Sequence, residues 1–261
     1  MKGIIFDRKE FALNDGEGVR TTVFFKGCPL RCAWCHNPEG LDPKPELYIK
    51  QNGCLHCNLC RRPCSHPECQ KFGRCLHICP KNLVTVKGEE WEAADLVAVL
   101  LREQDFLSSS GGGITLSGGE PLLQAEFACE LLDLLCGKVH RAIETSGYAD
   151  AETFQKVVGR CDFVYMDLKL ADPEAHKRWT GVSNERILQN AAWLKGSGIP
   201  HTFRTPLIPG IVDTEENLAA IAKLVGNDDW EKLPYNTLAP AKYKSVGREW
   251  KLPLFSGATE N

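Results

Sequence analysis

Short strand-like runs that alternate with amphipathic segments constrain the fold of this chain most. Six runs are rich in β-branched or aromatic residues, and the segments between them repeat their apolar residues at helical spacing. Strand and helix alternating in this way predict parallel β/α units. The predicted strands are 21–25, 114–118, 141–145, 162–169, 201–207 and 233–238, and the predicted helices are 93–107, 124–137, 184–198 and 214–226.

Six β/α units fit either an open doubly wound sheet or a full or partial barrel, and the 261 residues are enough for one substantial core. In both architectures the functional side chains lie at the C-terminal ends of the strands. One cysteine-rich stretch lacks any periodicity, so metal is expected to stabilise it in place of an apolar core. We therefore expect a main domain of residues 1–50 and 86–261 with a small insertion at 51–85.

Composition excludes several classes of function. A net charge of -3 lacks the basic excess of a nucleic-acid-binding protein, and 43% apolar with 25% charged residues is typical of a globular protein. No stretch approaches the roughly 20 apolar residues that span a bilayer. Asp7 and Arg8 interrupt the start before a signal-peptide core could form. We expect a cytoplasmic protein that binds neither nucleic acid nor membrane.

The cysteines favour metal binding over disulfide bonds. The chain has thirteen, an odd number, and ten of them lie between Cys28 and Cys79 in closely spaced groups. Such spacing suits metal ligands better than loop-closing bridges. The other three occur in apolar surroundings and are expected to be small buried hydrophobic residues: Cys129, Cys136 and Cys161.

Three cysteines directly follow the first predicted strand, with the spacing C-x3-C-x2-C. Structural zinc sites need four ligands, and thioredoxin-like sites need two cysteines. A four-iron cluster held by Cys28, Cys32 and Cys35 would leave one iron with an open coordination position. The missing fourth ligand can then be a substrate, so these three cysteines are predicted to be catalytic.

This motif, with Trp34 before the third cysteine, resembles the signature of the radical S-adenosylmethionine superfamily. "LSGGEPLLQ" at 116–124 resembles the glycine-rich motif that holds the methionyl amine in that family. The resemblance implies a 4Fe-4S cluster whose open iron is chelated by S-adenosylmethionine. Reduction through the cluster cleaves the cofactor to a 5′-deoxyadenosyl radical that abstracts hydrogen from a strong C–H bond.

Four further stretches are similar to the enzymes that activate glycyl radical enzymes, the group typified by pyruvate formate-lyase activase. They are residues 15–39, "IETSGYA" at 143–149, "YMDLKLADPEAHKRWTG" at 165–181 and "RTPLIPGIVDTEEN" at 204–217. The resemblance implies hydrogen abstraction from a glycine Cα of a larger partner enzyme. It also implies an α/β fold, a partial (β/α)6 TIM-like barrel open to a peptide loop, in an anaerobic, monomeric enzyme reduced by flavodoxin or ferredoxin.

The resemblance also implies which residues bind S-adenosylmethionine. Two glycines would let the backbone approach the cofactor closely, Glu120 would hold its amine, and Arg204 suits its carboxylate. The expected cofactor-binding residues are Trp34, Gly118, Gly119, Glu120, Glu144, Thr145, Asp167, Lys169, Arg204 and Asn236. Two positions depart from the group: "LPYN" replaces "LPYH", so Asn236 offers no imidazole, and Glu17 replaces a proline in "DGEG".

The insertion contains a ferredoxin-like run, C-x2-C-x2-C-x3-C, and seven cysteines in all. Many activating enzymes carry eight cysteines and two auxiliary clusters there. By analogy, one cluster would be held by Cys54, Cys57, Cys60 and Cys79, and a second by Cys64, Cys69 and Cys75. His66, His77 or solvent could complete the second. The alternatives are a single auxiliary cluster with spare thiols, or a zinc site.

Two rival functions remain open from the sequence. A radical S-adenosylmethionine enzyme with a small-molecule substrate would share the cysteine motif, although the insertion, the D-x-K element and "RTPLIPG" favour the activating enzyme. A ferredoxin-like electron carrier or zinc-binding module would use the barrel as a scaffold. The second rival predicts no cleavage of S-adenosylmethionine.

Overall fold

The computed structural model describes residues 1–253, which form ten strands and nine α-helices. The strands are β1 (Lys2–Ala12), β2 (Arg20–Phe25), β3 (Glu46–Ile49), β4 (Val84–Lys87), β5 (Glu89–Glu92), β6 (Gly113–Gly118), β7 (His140–Thr145), β8 (Phe163–Asp167), β9 (His201–Pro206) and β10 (Trp230–Leu233). The helices are α1 (Pro67–Gln70), α2 (Ala93–Leu100), α3 (Gln104–Ser109), α4 (Ala125–Leu135), α5 (Ala151–Val158), α6 (Pro173–Thr180), α7 (Glu185–Gly196), α8 (Glu215–Val225) and α9 (Ala239–Ser245). Short 3-10 helices occur at Pro38–Gly40, Leu59–Arg61, Leu101–Glu103 and Pro121–Gln124.

Eight of the strands form one sheet in the order β10-β9-β8-β7-β6-β2-β1-β5. Six of them, β2 and β6 to β10, run parallel, while β1 pairs antiparallel with both β2 and β5. Within residues 1–253 the edge strands β10 and β5 do not pair with each other, so the sheet does not close. The predicted α/β fold with six parallel strands is confirmed.

Five of the six predicted strands lie where the runs of β-forming residues indicate them. The sixth, predicted at 233–238, is wrong, because β10 occupies Trp230–Leu233 and ends before Pro234. A proline has no N–H to donate to the neighbouring strand, so the ladder stops there. β1 and β5, which extend the sheet on its antiparallel side, were not predicted.

The predicted helix at 93–107 is interrupted. It consists of α2, a 3-10 turn and α3, whereas the other three predicted helices agree with α4, α7 and α8 to within two residues. The sequence analysis missed α5, α6 and α9. Two of these begin at aspartate caps: Asp150 accepts from the Thr153 amide at 2.8 Å, and Asp172 accepts from the Ala175 amide at 2.7 Å. These caps were readable signals.

The two faces of the sheet differ in chemistry. On β6, Ile114 and Leu116 pack in the main apolar core, and the alternation of a strand turns Thr115 and Ser117 to the opposite face. Helices α2, α4, α5, α7 and α8 cover the apolar face and contribute to that core. The same alternation on the later strands places polar side chains on the other face: Glu144, Tyr165, Asp167 and Arg204.

A separate antiparallel hairpin, β3 with β4, frames the cysteine-rich segment. Ile49 pairs with Val84, so residues 50–83 leave and return at the same point. Within 50–83 only Cys69 and Cys75 are buried, which means that this segment has no apolar core of its own. The division into a main domain and an insertion at 51–85 stays a prediction.

The scattered cysteines are only partly as expected. Cys129 and Cys161 are buried in the main core, whereas Cys136 is exposed just after α4. In the described part of the chain, no helix has the length and apolar character to cross a bilayer.

A buried arginine closes the end of the sheet where the parallel strands begin. Arg20 is 1% exposed, and its guanidinium donates to Thr115 Oγ1 at 2.6 Å, to the Ile114 carbonyl at 3.0 Å and to the Glu17 carbonyl at 3.2 Å. Burial lowers the pKa of Arg20 from its usual value. The side chain joins β2, β6 and the loop before β2.

Replacing this arginine by an apolar side chain of similar length should destabilise the fold. Arg20→Met removes the guanidinium donor from two buried oxygens, Thr115 Oγ1 and the Ile114 carbonyl, and from the partly buried Glu17 carbonyl, so we expect a loss of about 3 kcal/mol in the free energy of unfolding. The exposed Arg102 is the control, and Arg102→Met should change that energy by less than about 0.5 kcal/mol. Urea unfolding followed by circular dichroism measures both; equal stabilities would contradict this role.

Candidate active site

A cleft of about 270 Å³ lies at the ends of the parallel strands. It is lined by the loop after β2 and by residues at or after the C-terminal ends of β6 to β10. The structure brings together there all but two of the residues predicted in the main domain. Those present are Cys28, Cys32, Trp34, Cys35, Gly118, Gly119, Glu144, Thr145, Asp167, Lys169 and Arg204.

Backbone hydrogen bonds hold the cysteine loop on two sides. On one side the Cys28 amide donates to the Leu41 carbonyl at 3.3 Å, and the Gly27 carbonyl accepts from the Glu120 amide at 2.8 Å. On the other side the amides of Arg31 and Ala33 donate to carbonyls at the end of α6, at 2.7 and 2.9 Å. The three thiols are therefore presented to the cleft by a loop that is fixed to both β6 and α6.

The three thiols lie in an environment that disfavours a free thiolate. Burial raises the pKa of Cys32 to about 12, and it raises the pKa of Cys28 and Cys35 as well. Without a cation these groups stay protonated, whereas a bound metal deprotonates a coordinating thiol. Three soft donors facing one cleft fit a cluster held by three thiolates.

Trp34 packs the cysteine loop against residues that follow β9 and β10. Its side chain is 4% exposed and belongs to a second apolar cluster that also contains Ile208 and Tyr235. The predicted contact of Trp34 with the cofactor stays a prediction. Its packing shows that the aromatic residue also fixes the position of the cysteines on either side of it.

The sequence analysis missed His36, which also lines the cleft. Its buried Nε2 atom has no hydrogen-bond partner among the described residues. Burial lowers the pKa of His36, with a smaller effect of Lys242, so the ring is neutral near pH 7. A neutral imidazole with an unpaired nitrogen can bond to a ligand in the cleft. Its position directly after Cys35 was the available signal.

The two glycines allow close packing of the backbone, and their predicted contact with the cofactor stays a prediction. A Cβ on Gly118, whose φ is +118°, would lie 2.2 Å from the Phe25 backbone nitrogen. A Cβ on Gly119 would lie 2.2 Å from the Gly27 carbonyl oxygen and 2.5 Å from that of Gly40. Protein backbone therefore lies where a Cβ of either glycine would stand. Gly118 lets β6 pack directly against β2, and Gly119 lets the turn after β6 pack against the loop that carries the cysteines.

Glu120 lies behind the cleft wall and is only 1% exposed. Its carboxylate accepts hydrogen bonds from Thr145 Oγ1 at 2.7 Å, from the Ser146 amide at 2.8 Å and from Ser146 Oγ at 2.5 Å. Burial raises the pKa of Glu120, and these bonds oppose that rise. Its predicted contact with an amine stays a prediction, since the structure uses Glu120 to position the loop after β7.

Two basic side chains of the cleft, Arg204 and Lys169, form ion pairs with carboxylates. Arg204 donates to Glu144 Oε1 at 2.7 Å and to Glu231 Oε2 at 2.7 Å. Lys169 Nζ lies 2.5 Å from Asp167 Oδ2. Burial alone would lower the pKa of Lys169, but the carboxylate of Asp167 has the opposite effect. The pKa is raised overall, so the ammonium remains charged. The cleft thus contains fixed charges of both signs.

The pKa of Glu144 lies well above the usual value of a carboxyl group. Burial and the charge of Asp15 raise the pKa to about 7, against the opposing effects of Ser117 Oγ at 2.5 Å and of Arg204. Ser117, like His36, is a cleft residue that the sequence analysis did not include.

Asn236 lies outside the cleft lining. It is exposed, and its Oδ1 accepts from the Leu238 amide at 2.9 Å. Leu233 and Pro234 of the same stretch do reach the cleft. A role for Asn236 in cofactor binding therefore stays a prediction.

The cysteines of the insertion form two groups of different size. Cys54, Cys57, Cys60 and Cys79 line a cavity of about 130 Å³. His56 and Asn58, in the same loop, adopt left-handed backbone conformations with φ of 49° and 57°, which wind the loop around the cavity. In the second group, the ligand atoms of Cys64, His66, Cys69 and Cys75 all lie within 4.8 Å of one another.

Comparison with known proteins gives the same assignment as the cysteine motif. The model of the Radical SAM superfamily matches residues 22–224. The 4-hydroxyphenylacetate decarboxylase activating enzyme of Clostridium scatologenes is 35% identical, over 99% of this chain and 91% of that protein. The choline trimethylamine-lyase activating enzyme of Oleidesulfovibrio alaskensis is 36% identical, over 97% of this chain and 89% of that protein.

Among solved structures, Streptococcus suis SuiB bound to precursor peptide SuiA superposes with a TM-score of 0.52. The match covers 84% of this chain and 39% of SuiB at 14% identity, so it supports the fold alone.

Adding one methyl group to the glycine behind the cysteine loop should displace that loop. Gly119→Ala brings a Cβ against two carbonyl oxygens, and we expect a loss of about 1–3 kcal/mol in stability together with a lower iron content after reconstitution. Gly196 at the end of α7 is the control, because a Cβ there meets nothing within 4 Å. Thermal unfolding and iron analysis measure both variants. If Gly119→Ala behaves like Gly196→Ala, the packing role is wrong.

Proposed function

Since the chain belongs to the radical SAM superfamily, we propose that it is an activating enzyme that forms a glycyl radical on a partner enzyme. The observation that carries the proposal is the convergence of the C-x3-C-x2-C thiols with Asp167, Lys169 and Arg204 in one cleft. Similarity to activating enzymes over nearly the whole chain supports the same function.

Cys28, Cys32 and Cys35 would hold the 4Fe-4S cluster that the family implies. When reduced, this cluster and S-adenosylmethionine supply a 5′-deoxyadenosyl radical that removes a hydrogen atom from the Cα of a glycine. Among residues 1–253 no fourth cysteine lines the cleft, so one coordination position would be left for the cofactor. His36 beside Cys35 is available to hydrogen-bond to what binds there.

The charged pairs of the cleft would orient S-adenosylmethionine, which carries a carboxylate, an ammonium and a sulfonium. Two of the five donors of Arg204 are used by Glu144 and Glu231, and the others can bind the carboxylate. Glu144 and Asp167 supply negative charge for the two cationic groups. Gly118 lets β6 pack closely against β2, and Gly119 lets the turn after β6 pack against the cysteine loop. Glu120 holds Thr145 in the cleft wall.

The substrate would be a loop of a larger protein. The sheet is open between its edge strands, and an incomplete barrel gives a polypeptide access to the ends of the parallel strands. The relatives are named after different partners, a decarboxylase and two lyases among them. We propose a glycyl radical enzyme as partner and leave its own reaction unassigned.

We propose that residues 51–85 form a domain separate from residues 1–50 and 86–261. Electrons would enter the protein through this insertion. Cys54, Cys57, Cys60 and Cys79 surround a cavity suited to a 4Fe-4S cluster, and the first three belong to the ferredoxin-like run. A flavodoxin or ferredoxin would donate the electrons. We further propose that the protein acts as a monomer in the cytoplasm, under anaerobic conditions.

Cleavage of S-adenosylmethionine tests this function directly. The full chain, reconstituted anaerobically with iron and sulfide and then reduced, should produce 5′-deoxyadenosine, measured by liquid chromatography. Cys32→Ala should produce none above background, because two thiolates cannot hold the cluster. Cys136→Ala is the matched control and should match the parent, since Cys136 is exposed and remote from the three cysteine groups. A fully clustered, reduced parent without product would instead support an electron carrier.

A further inference from the structure

We propose that Cys64, His66, Cys69 and Cys75 form a mononuclear zinc site, distinct from any iron–sulfur cluster. The first argument is distance. Four ligands of one tetrahedral zinc ion lie about 4 Å apart, because Zn–S bonds are about 2.3 Å and Zn–N bonds about 2.0 Å. Thiolates that bind four different irons of one cluster lie roughly 6 Å apart. These four ligand atoms lie within 4.8 Å of one another, which fits the single ion.

The other two cysteine groups do not share this geometry. Within residues 1–253, the only other group of three possible ligands this close together is Glu68, Cys69 and His77. Neither the three catalytic cysteines nor the group of Cys54 brings three ligand atoms this close together. The tight spacing is therefore a property of the Cys64 group and not of all cysteine groups in the chain.

Histidine 66 supplies the fourth ligand. Its Nδ1 lies 2.9 Å from Cys64 Sγ, so the imidazole already points at the thiol group. The His77 ring packs beside His66, with ring centroids 4.8 Å apart, but its Nε2 lies 2.8 Å from Glu68 Oε1. The alternative group around His77 offers only three ligands, and it shares Cys69 with the four-ligand group, so both cannot be occupied. Four protein ligands of the Cys3His type close a structural zinc site.

The site also supplies what the segment otherwise lacks. Cys69 and Cys75 are the only buried residues in 50–83, so the centre of this segment consists of metal ligands. The Leu76 amide donates to Cys69 Sγ at 3.3 Å, which supports a thiolate. The Cys75 amide donates to the Cys60 carbonyl at 2.8 Å and connects the site to the neighbouring cysteine group. Bound zinc would hold this segment in shape.

Metal analysis tests the site without any measurement of activity. The full chain is reconstituted anaerobically with iron, sulfide and an equal amount of zinc, and then freed of excess metal. We expect about one zinc ion per chain, with three sulfur neighbours at about 2.3 Å and one nitrogen at about 2.0–2.1 Å in zinc-edge X-ray absorption. This result on the unaltered protein does not depend on how a variant folds.

Two histidine variants on the same exposed segment separate the ligand from its neighbour. His66→Ala should lower zinc affinity more than about tenfold, since even groups that only orient a metal ligand are worth that much. His77→Ala should keep both the affinity and the nitrogen neighbour.

Three results would each overturn the site: no bound zinc, a shell of four sulfurs, or loss of the nitrogen in His77→Ala but not in His66→Ala. The inference goes beyond the proposed function, because the same protein can cleave S-adenosylmethionine whichever metal binds here.

Discussion

The shared direction of six parallel strands is the constraint on which the rest of the structure depends. Strands that run the same way end at the same edge, so the residues that follow them meet although they are far apart in the sequence. The cysteine loop follows β2, Gly119 follows β6, and Lys169 follows β8. The strands β1 and β5 extend the sheet beyond β2, so they do not come between the six parallel strands. The cleft is thus a consequence of topology before any side chain is considered.

The packing behind the cleft fixes the position of the thiols. Gly119, just after β6, packs against the backbone of the cysteine loop, and Trp34 of that loop packs into the second apolar cluster. Lys26, fully buried just before that loop, donates to the Glu39 carbonyl at 2.7 Å and to Glu46 Oε1 at 2.5 Å. Since Glu46 lies in β3, the buried ammonium of Lys26 connects the start of the cysteine loop to the hairpin that carries the insertion. Removing the Glu46 carboxylate would leave a fully buried ammonium with the Glu39 carbonyl as its remaining hydrogen-bond partner.

Runs of β-branched and aromatic residues, with helical periodicity between them, were enough to predict the fold class and five of the six parallel strands. The sixth prediction was wrong because it followed the β-forming residues around Pro234. It did not consider that a proline has no N–H for the strand ladder, so that β10 ends at Leu233. The cleft residues at strand ends were predictable, since parallel topology alone brings them together. The surroundings of these residues were not predictable, because they depend on tertiary packing. Examples are the hydrogen bonds of Thr145 and Ser146 to Glu120 and the backbone that packs beside Gly119. Choosing His66 over His77 likewise needed distances that spacing does not contain.

The most direct test of the account is whether the methionyl group of S-adenosylmethionine binds the iron of the cluster held by Cys28, Cys32 and Cys35. Electron–nuclear double resonance on the reduced full chain, with nitrogen-15 in the amine and oxygen-17 in the carboxylate, reports direct bonds to a paramagnetic iron. The account predicts hyperfine coupling to both labels, and loss of both in Cys32→Ala. A cofactor that binds without coupling to iron would contradict it, because the open coordination position would then not be the site of the chemistry.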